Sequence, residues 1–545
     1  MEFINRYNCA LGGLFLLSPA YAQKDIKIPT HTNIIIISCE DISPDLGCYG
    51  NPVVKTPNLD ALAKDGILFQ NAYSTAGVSA PSRAALITGM YASSIGADNM
   101  RTNAKDVKGI LPYQAVPPSV VKCYSELIRQ KGYYTTNNDK TDYQFDAPLS
   151  AWDDCSKMAQ WENRPENSPF FSIFNIMTSH ESQIIYRKNS PISYYDKDVI
   201  VPPYYPEDSI VRRDIVRNYS NITVMDREAG EIIDKLKEQG LYDDAIIIFY
   251  SDHGGPLPRQ KREIVESGTH VPLLIKLPKN QYAGTKNSEL VSFIDIPSTV
   301  LSLVGIKVPC YMQGQIFLGK NKDKARKYVH ASRSRMDAEV DMVRMTFDKE
   351  FMYIHNFYPE KSYYQDIQFR VNSVPTMSRM LELKDQGKLD SLQMIWFSTT
   401  KPKEQLYKIN NDPNTLYDLA GNPNYKKDLI RLRKENDKWM KTIGDNGLNK
   451  DKSVKTEKEL VSEMWPNGVQ PQVIPPKVTV KDSVLHIKTI TPGTSLVYQI
   501  NGKGLNARHW MLYNKKGFKV NKGDSISIIA SRLGYKNSTV NMSVE

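Results

Sequence analysis

Cysteine is scarce in this chain of 545 residues, with six in all. Cys9 precedes an apolar stretch, and Cys39, Cys48, Cys123, Cys155 and Cys310 form an odd, widely spaced set. That pattern argues against a disulfide framework. Histidine is almost as sparse, with eight residues, which is thin for a centre that binds two zinc ions through several imidazoles. The apolar run at residues 10–17 is too short to cross a bilayer, so no stable membrane insertion is expected. No internal repeat or low-complexity tract stands out.

Hydrophobic residues at 41% and charged residues at 24% are the proportions of a soluble globular protein. The length exceeds one ordinary core, so two or three domains are expected. A formal charge of +10 favours anionic partners. The Lys and Arg residues are scattered and carry no nucleic-acid motif, so nucleic acid is not expected as a partner. A sulfated polyanion fits the charge equally well. Arg6, the apolar run and Ala20-Tyr21-Ala22 before Gln23 read as a secretory signal over 1–22, which predicts a periplasmic or secreted protein.

Residues 33–38 (Asn-Ile-Ile-Ile-Ile-Ser) are a continuous apolar run, the pattern of a strand buried on both faces of a parallel sheet. Further strands are predicted at 132–136, 170–175, 245–250 and 271–277. Helices are predicted from Thr56-Pro57 to a stop at Gly66, and over 221–239. Strands alternating with helices predict an open, largely parallel α/β sheet, whose ligands bind beyond the carboxyl ends of its strands. Glu40-Asp41, Lys140, His180 and Asp252-His253 all fall just after predicted strands. Weaker, more polar patterning occupies 321–450. Prolines 466, 471, 475 and 476 mark a linker, and 465–545 reads as an appended β-sandwich.

The chemistry centres on residues 79–89, Ser-Ala-Pro-Ser-Arg-Ala-Ala-Leu-Ile-Thr-Gly. Pro81 suits a first helical turn. Ser79 then lies beside a helix N-terminus that favours an anion, and Arg83 adds a planar fork of donors one turn along. On physical grounds alone the plainer reading, a helix start carrying a surface arginine, is the favoured one. The whole string, however, resembles the signature of the formylglycine-dependent sulfatases, [Cys/Ser]-x-Pro-Ser-Arg-x-x-x-x-Thr-Gly, with every specified position filled, in its serine-type form. The resemblance extends over residues 30–420 and includes the late Leu416-Tyr417-Asp418-Leu419 turn.

It implies an alkaline-phosphatase-like α/β fold, with a catalytic domain over 23–320 and a smaller α+β subdomain over 321–450. It further implies that a serine-type maturase oxidises Ser79 to formylglycine, whose hydrate attacks the sulfur of a sulfate ester. Glu40, Asp41, Asp252 and His253 stand where the family holds one calcium ion, with residue 79 beside it, and Glu40 replaces a commoner Asp. Paired acidic residues at strand ends suit a hard cation in any case. Arg83, Lys140 and Lys261 match the sulfate-binding shell, and His180 matches the histidine near the bridging oxygen. Asp142 occupies the place of a family histidine that acts as base. It reads equally as a partner that only steadies Lys140.

Arg101, His270, Arg333 and Arg335 are candidate contacts for sugar or flanking sulfates. The expected activity is hydrolysis of a carbohydrate sulfate, with a lean to a galactose or N-acetylgalactosamine ester. Rival readings are an N-sulfoglucosamine sulfohydrolase, a phosphomonoesterase or phosphodiesterase of the same superfamily, and a sulfated-glycan-binding protein without turnover.

Overall fold

The computed structural model describes residues 26–102, 112–504 and 509–545, so the expected secretory signal lies outside the described residues. Its centre is an eight-stranded sheet built from β1 (Ile34–Cys39), β2 (Ile67–Tyr73), β3 (Tyr134–Asn138), β4 (Asp154–Cys155), β5 (Phe170–Ile176), β6 (Ile246–Ser251), β7 (His270–Lys276) and β8 (Thr285–Ser292). The order across the sheet is β4-β3-β5-β1-β6-β7-β2-β8. β1 runs parallel to β5 and β6, with Ile34 opposite both Phe171 and Ile246. Only β7 runs against its neighbours β6 and β2.

The unbroken apolar run of β1 follows from its central place. Successive side chains of a strand point to opposite faces, and both faces are covered. Ile34 and Ile36 enter a core with Ala84, Leu86, Phe171 and Leu273. Ile35 and Ile37 enter another with Phe174, Met225, Leu236 and Phe249.

Five helices on these faces matter for the site: α1 (Pro57–Asp65), α2 (Ser79–Thr88), α3 (Tyr124–Gln130), α4 (Ser182–Tyr186) and α5 (Ser209–Glu238). α5 begins twelve residues earlier than its apolar spacing predicts, capped by Asp208, whose side chain accepts from the Ile210 N–H. Its first turns are rich in Arg and Asn. Their apolar residues Val211, Ile215 and Val216 face a separate cluster with Tyr204, Met377 and Trp396, so the stripe changes partner and loses its single period. The predicted ends of α1 hold, with Thr56 before Pro57 and Gly66 after Asp65. Thr56 Oγ1 donates to Asp60 Oδ1 at 3.1 Å, and the first-turn N–H groups of Asn58 and Leu59 are accepted instead by the Asp226 carboxylate, at 3.2 Å and 2.8 Å. Gly66 has φ −136°, an extended conformation, and is small because a Cβ there would lie 2.6 Å from the Ile275 carbonyl oxygen.

Beyond the main sheet, β9 (Val329–Arg333), β10 (Val343–Phe347), β11 (Phe351–Asn356) and β12 (Glu404–Lys408) form an antiparallel sheet. The Leu416–Leu419 turn is pinned to its edge, because Asp418 Oδ1 accepts the backbone N–H groups of Leu406 and Ala420, both at 2.9 Å. Nearer the C-terminus, a three-stranded and a four-stranded sheet enclose Leu485, Ile487, Val520, Ile526 and Ile528. This pair of sheets meets α3 and its surroundings through polar contacts. Lys122 Nζ donates to the Gly493 carbonyl at 2.7 Å, Ser495 Oγ donates to Glu126 at 2.5 Å, and His509 Nε2 lies 2.8 Å from Asp153 Oδ1.

All candidate site residues precede this C-terminal unit. A chain ending at Gly468 should therefore keep kcat/KM on a small sulfate ester within about threefold of the full chain, since the polar contacts and the packing of Leu533 into the main core are lost and no site group is. Loss of turnover in a truncation that remains folded by circular dichroism would show that the unit completes the site.

Candidate active site

The site assembles at the carboxyl edge of the sheet, where β1 and β6 end side by side. β1 runs into Glu40 and Asp41, both fully buried. Asp41 takes φ +49°, a left-handed conformation that Asp tolerates better than most residues. β6 runs into Ser251, Asp252 and His253, and the Asp252 N–H donates to the Cys39 carbonyl at 3.0 Å. Asp252 Oδ1 in turn accepts the Asp41 N–H at 3.2 Å. The acidic residues of both strand ends are thereby held together.

Ser79 is the first residue of α2, one position further into the helix than the sequence places it. Its Oγ lies 3.3 Å from both Glu40 Oε2 and His253 Nε2. Ser82 Oγ donates to the Asp252 carbonyl at 2.6 Å, fixing the first turn of α2 to β6. Arg83 is buried and reaches across the sheet. Its Nη2 donates to Glu40 Oε1 at 2.5 Å, its Nε to Asp252 Oδ2 at 3.2 Å and its Nη1 to Asn175 Oδ1 at 2.7 Å.

Lys140, from the loop after β3, donates to Glu40 Oε2 at 2.6 Å, and Asp142 Oδ2 lies 3.5 Å from the same ammonium. Lys261 donates to Asp41 Oδ2 at 2.6 Å. His180 follows β5 and comes close enough to Glu40 and Asp41 to share an ion with them. His180 Nδ1 lies 2.9 Å from Ser182 Oγ and 3.3 Å from the Ser182 N–H, so Ser182 holds the ring in place.

Burial pushes the Glu40 carboxyl up, but the cations more than offset this. Lys140 and then Arg83 hold it well below the usual carboxylate range. Asp41 is likewise held down against burial by Lys261, His180 and His253. The His180 imidazole is pushed down, by burial first and by Lys261 next. Both acidic residues are therefore ionised at neutral pH while His180 is predominantly neutral.

The donor set fits a divalent cation. Asp41 Oδ1 lies 3.0 Å from His253 Nε2, yet it is buried without a hydrogen-bond donor. Two such groups aimed at one point are arranged as co-ligands, and Asp41, Asp252 and His253 form one compact ligating group.

Four candidates stand outside this cluster. Arg333 is buried between Glu263 and Asp341, at 3.2 Å from each, and Arg335 pairs with Glu457. His270 stacks on Tyr73 and lies 2.8 Å from Glu266 Oε1. Arg101 pairs with Asp337 at 2.9 Å and lies 4.8 Å over the Phe369 ring, which itself meets the His180 ring edge-on.

Sequence reasoning missed Asn175, Glu181 and Arg262. Asn175 Nδ2 donates to Asn137 Oδ1 at 3.0 Å and to the Asn138 carbonyl at 3.1 Å, so it ties Arg83 to the end of β3. Its signal was its place at the end of an apolar strand. Glu181 and Arg262 each adjoin a residue that the motif did identify.

The chain matches the family described as Sulfatase over residues 32–168 and 155–306, and the description "N-sulphoglucosamine sulphohydrolase, C-terminal" over 259–365. An ulvan-active sulfatase of Formosa agariphila is 42% identical over 94% of this chain and 91% of its own length. Human N-sulphoglucosamine sulphohydrolase is 24% identical over 75% of this chain and 89% of its own. Among solved structures, a 2-O GAG sulfatase superposes with TM-score 0.57 at 17% identity, covering 79% of this chain and 96% of its own. The phosphonate monoester hydrolase of Agrobacterium radiobacter superposes with TM-score 0.55 at 16% identity, covering 76% and 96%. Those two likenesses establish the alkaline-phosphatase-like α/β fold. The chain is a sulfuric ester hydrolase by class, and it belongs to the sulfatase family.

Replacing Asn175 with Leu would leave an Arg83 donor and an Asn137 acceptor buried without partners. Each such loss costs about 1–3 kcal/mol. Asn175→Leu should lower unfolding stability by that order in denaturant titration and reduce turnover through a looser Arg83.

Proposed function

We propose that this chain is an exported carbohydrate sulfatase whose nucleophile is formylglycine made from Ser79 and whose resident metal is calcium. The observation that supports this most is the meeting of Ser79 with Glu40 and His253 in a pocket where Arg83, Lys140 and Lys261 each end on a Glu40 or Asp41 oxygen. Glu40, Asp41, Asp252, His253 and residue 79 would hold the calcium ion, which when bound supplies Lewis-acid polarisation of the sulfate oxygens. Oxidation of residue 79 by a serine-type maturase supplies a hydrated aldehyde, a better nucleophile than a serine hydroxyl and one that can later release sulfate.

The protein's own groups account for the rest of the chemistry. Arg83, Lys140 and Lys261 would hold the equatorial oxygens of the sulfate as charge moves onto the leaving oxygen, and such preorganised electrostatics is usually the largest catalytic term. The helix N-terminus at Ser79 faces the same anion. His180, its ring neutral, would stabilise the departing sugar oxygen by hydrogen bonding. Asp142, half exposed and 3.5 Å from Lys140, is placed to steady that ammonium.

For the substrate, the Formosa agariphila relative supports a sulfated polysaccharide of the ulvan kind. A galactose or N-acetylgalactosamine ester is the second reading, supported by the human N-acetylgalactosamine-6-sulfatase at 24% identity over 52% of this chain. N-sulfoglucosamine is a third, supported by the match at 259–365. A desulfation panel of ulvan oligosaccharides, galactose and N-acetylgalactosamine sulfates and N-sulfoglucosamine separates them. The reading fails if none of these releases sulfate.

Protein made with a serine-type maturase should show the loss of two hydrogens from the Ser79 peptide in mass mapping. Ser79→Ala should abolish turnover, and retained activity would remove the assignment. Chelation should silence the enzyme with its fold intact, and calcium should restore it. Restoration by zinc alone would favour the phosphatase reading.

A further inference from the structure

Two adjacent cations, Lys261 and Arg262, end on one carboxylate. Arg262 Nη1 donates to Glu181 Oε2 at 2.8 Å and Nη2 to Glu181 Oε1 at 2.7 Å. Lys261 Nζ lies further away, 3.2 Å from Oε1, while it donates to Asp41 Oδ2 at 2.6 Å. The Glu181 backbone N–H donates to that same Asp41 oxygen at 2.7 Å. The Arg262 and Glu181 side chains are 2% and 1% exposed. Arg262 takes φ +74°, a conformation uncommon for a residue with a long side chain. Its N–H donates to the Gly77 carbonyl at 2.6 Å, two residues before Ser79. Gly77 permits that approach, because a Cβ there would lie 2.2 Å from the Glu263 carbonyl oxygen. The backbone is bent so that neighbouring side chains both reach the site side of the loop.

We propose that Arg262 is a positioning residue that occupies both oxygens of Glu181 and so keeps the Lys261 ammonium available to the substrate's sulfate group. The proposal rests on the reading that Lys261 holds that group. A buried carboxylate attracts any ammonium within reach, far more strongly than it would in water. A guanidinium fork matches both oxygens at once, whereas an ammonium meets them as a point charge. The contact lengths follow this order, with Arg262 at bonding distance from both oxygens and Lys261 held at the margin of one.

Without the fork, Glu181 would have Lys261 as its nearest remaining cation. The substrate anion would then compete with a built-in carboxylate for the same ammonium. A lysine at 262 keeps the charge and loses the fork, so it restores the arrangement only in part.

The test uses the maturated, calcium-loaded full chain as wild type and as Arg262→Met, Arg262→Lys, Glu181→Gln and the Arg262→Met/Glu181→Gln double variant, with Lys261→Ala as reference. The measurements are kcat and KM on one sulfated sugar, the inhibition constant of inorganic sulfate, and Tm. Arg262→Met should lower kcat/KM about tenfold or more and weaken sulfate inhibition alongside it, as loss of one anion-holding donor does. Arg262→Lys should fall between. The double variant removes the competing carboxylate with the fork, so both quantities should return to within about threefold of wild type.

A role confined to stability would lower Tm in Arg262→Met while leaving kcat/KM and sulfate inhibition of the folded enzyme unchanged, and that result overturns the proposal. A double variant as impaired as Arg262→Met also overturns it. Should Arg262→Met not fold, Arg262→Lys with wild-type sulfate inhibition, or Glu181→Gln with inhibition weakened as much as in Lys261→Ala, has the same force. Wild-type turnover in Lys261→Ala would instead bring down the underlying reading of Lys261, a separate failure.

Discussion

Charge taken out of water must meet opposite charge, and that requirement organises the edge of the sheet around Ser79. Glu40, Asp41, Asp252 and Glu181 are all buried, and so are Arg83, Lys261 and Arg262. An isolated ionised group at such a position would be expensive or would neutralise itself. Here Glu40, Asp41 and Glu181 remain ionised because each has a cation at contact distance, and each cation remains in place because its carboxylates are built into strand ends or the start of α4. The same oxygens can serve a divalent ion or the ammonium and guanidinium groups. Metal occupancy and the availability of Arg83, Lys140 and Lys261 to an anion are therefore linked quantities rather than independent features.

Topology supplies the crowding that this balance needs. β1 lies between β5 and β6, so the residues that follow those strands, Glu40-Asp41, His180 and Asp252-His253, emerge side by side. β7 runs antiparallel to β6. The connection between them consequently leaves and returns at one edge of the sheet, and it carries Lys261, Arg262 and Glu263 there. A parallel β7 would have required a crossover over a sheet face, and the segment that carries Lys261 and Arg262 would lie elsewhere. Only Arg83 and Ser79 arrive on a helix, whose first turn Ser82 anchors to β6.

Much of this was legible in the sequence because two-sided burial leaves a strong mark. The isoleucines of β1 and the apolar run of β6 announced central strands, and polar residues immediately after such runs announced a site. β2 and β8 escaped notice because their patterns mix polar with apolar residues, with Gln70 exposed in β2 and Lys286 in β8. The direction of β7 was not legible, since a buried strand reads alike in either orientation. Asn175, Glu181 and Arg262 were missed for a different reason. Their function is to hold other side chains, and a contact between residues 181 and 262 has no local spacing by which to find it. Arg333 and Arg335, singled out as candidate ligand contacts from a loop-like string, are buried and paired with carboxylates of the fold, which no local spacing announced.

The likeness in fold to a phosphonate monoester hydrolase shows that the fold does not by itself choose the ester. On the reading proposed above, the anion-holding groups surround the sulfate, and the leaving sugar must depart on the side of His180. Phe369 meets the His180 ring edge-on, and the Arg101 guanidinium covers the Phe369 ring. Arg101, itself paired with Asp337, is joined to His180 through the Phe369 ring, while His270, Arg333 and Arg335 pair with Glu266, with Glu263 and Asp341, and with Glu457. On that reading, discrimination among sulfated sugars falls to a rim where an aromatic face and a partly exposed arginine lie together. That rim can vary without disturbing the buried charge balance on which the shell depends.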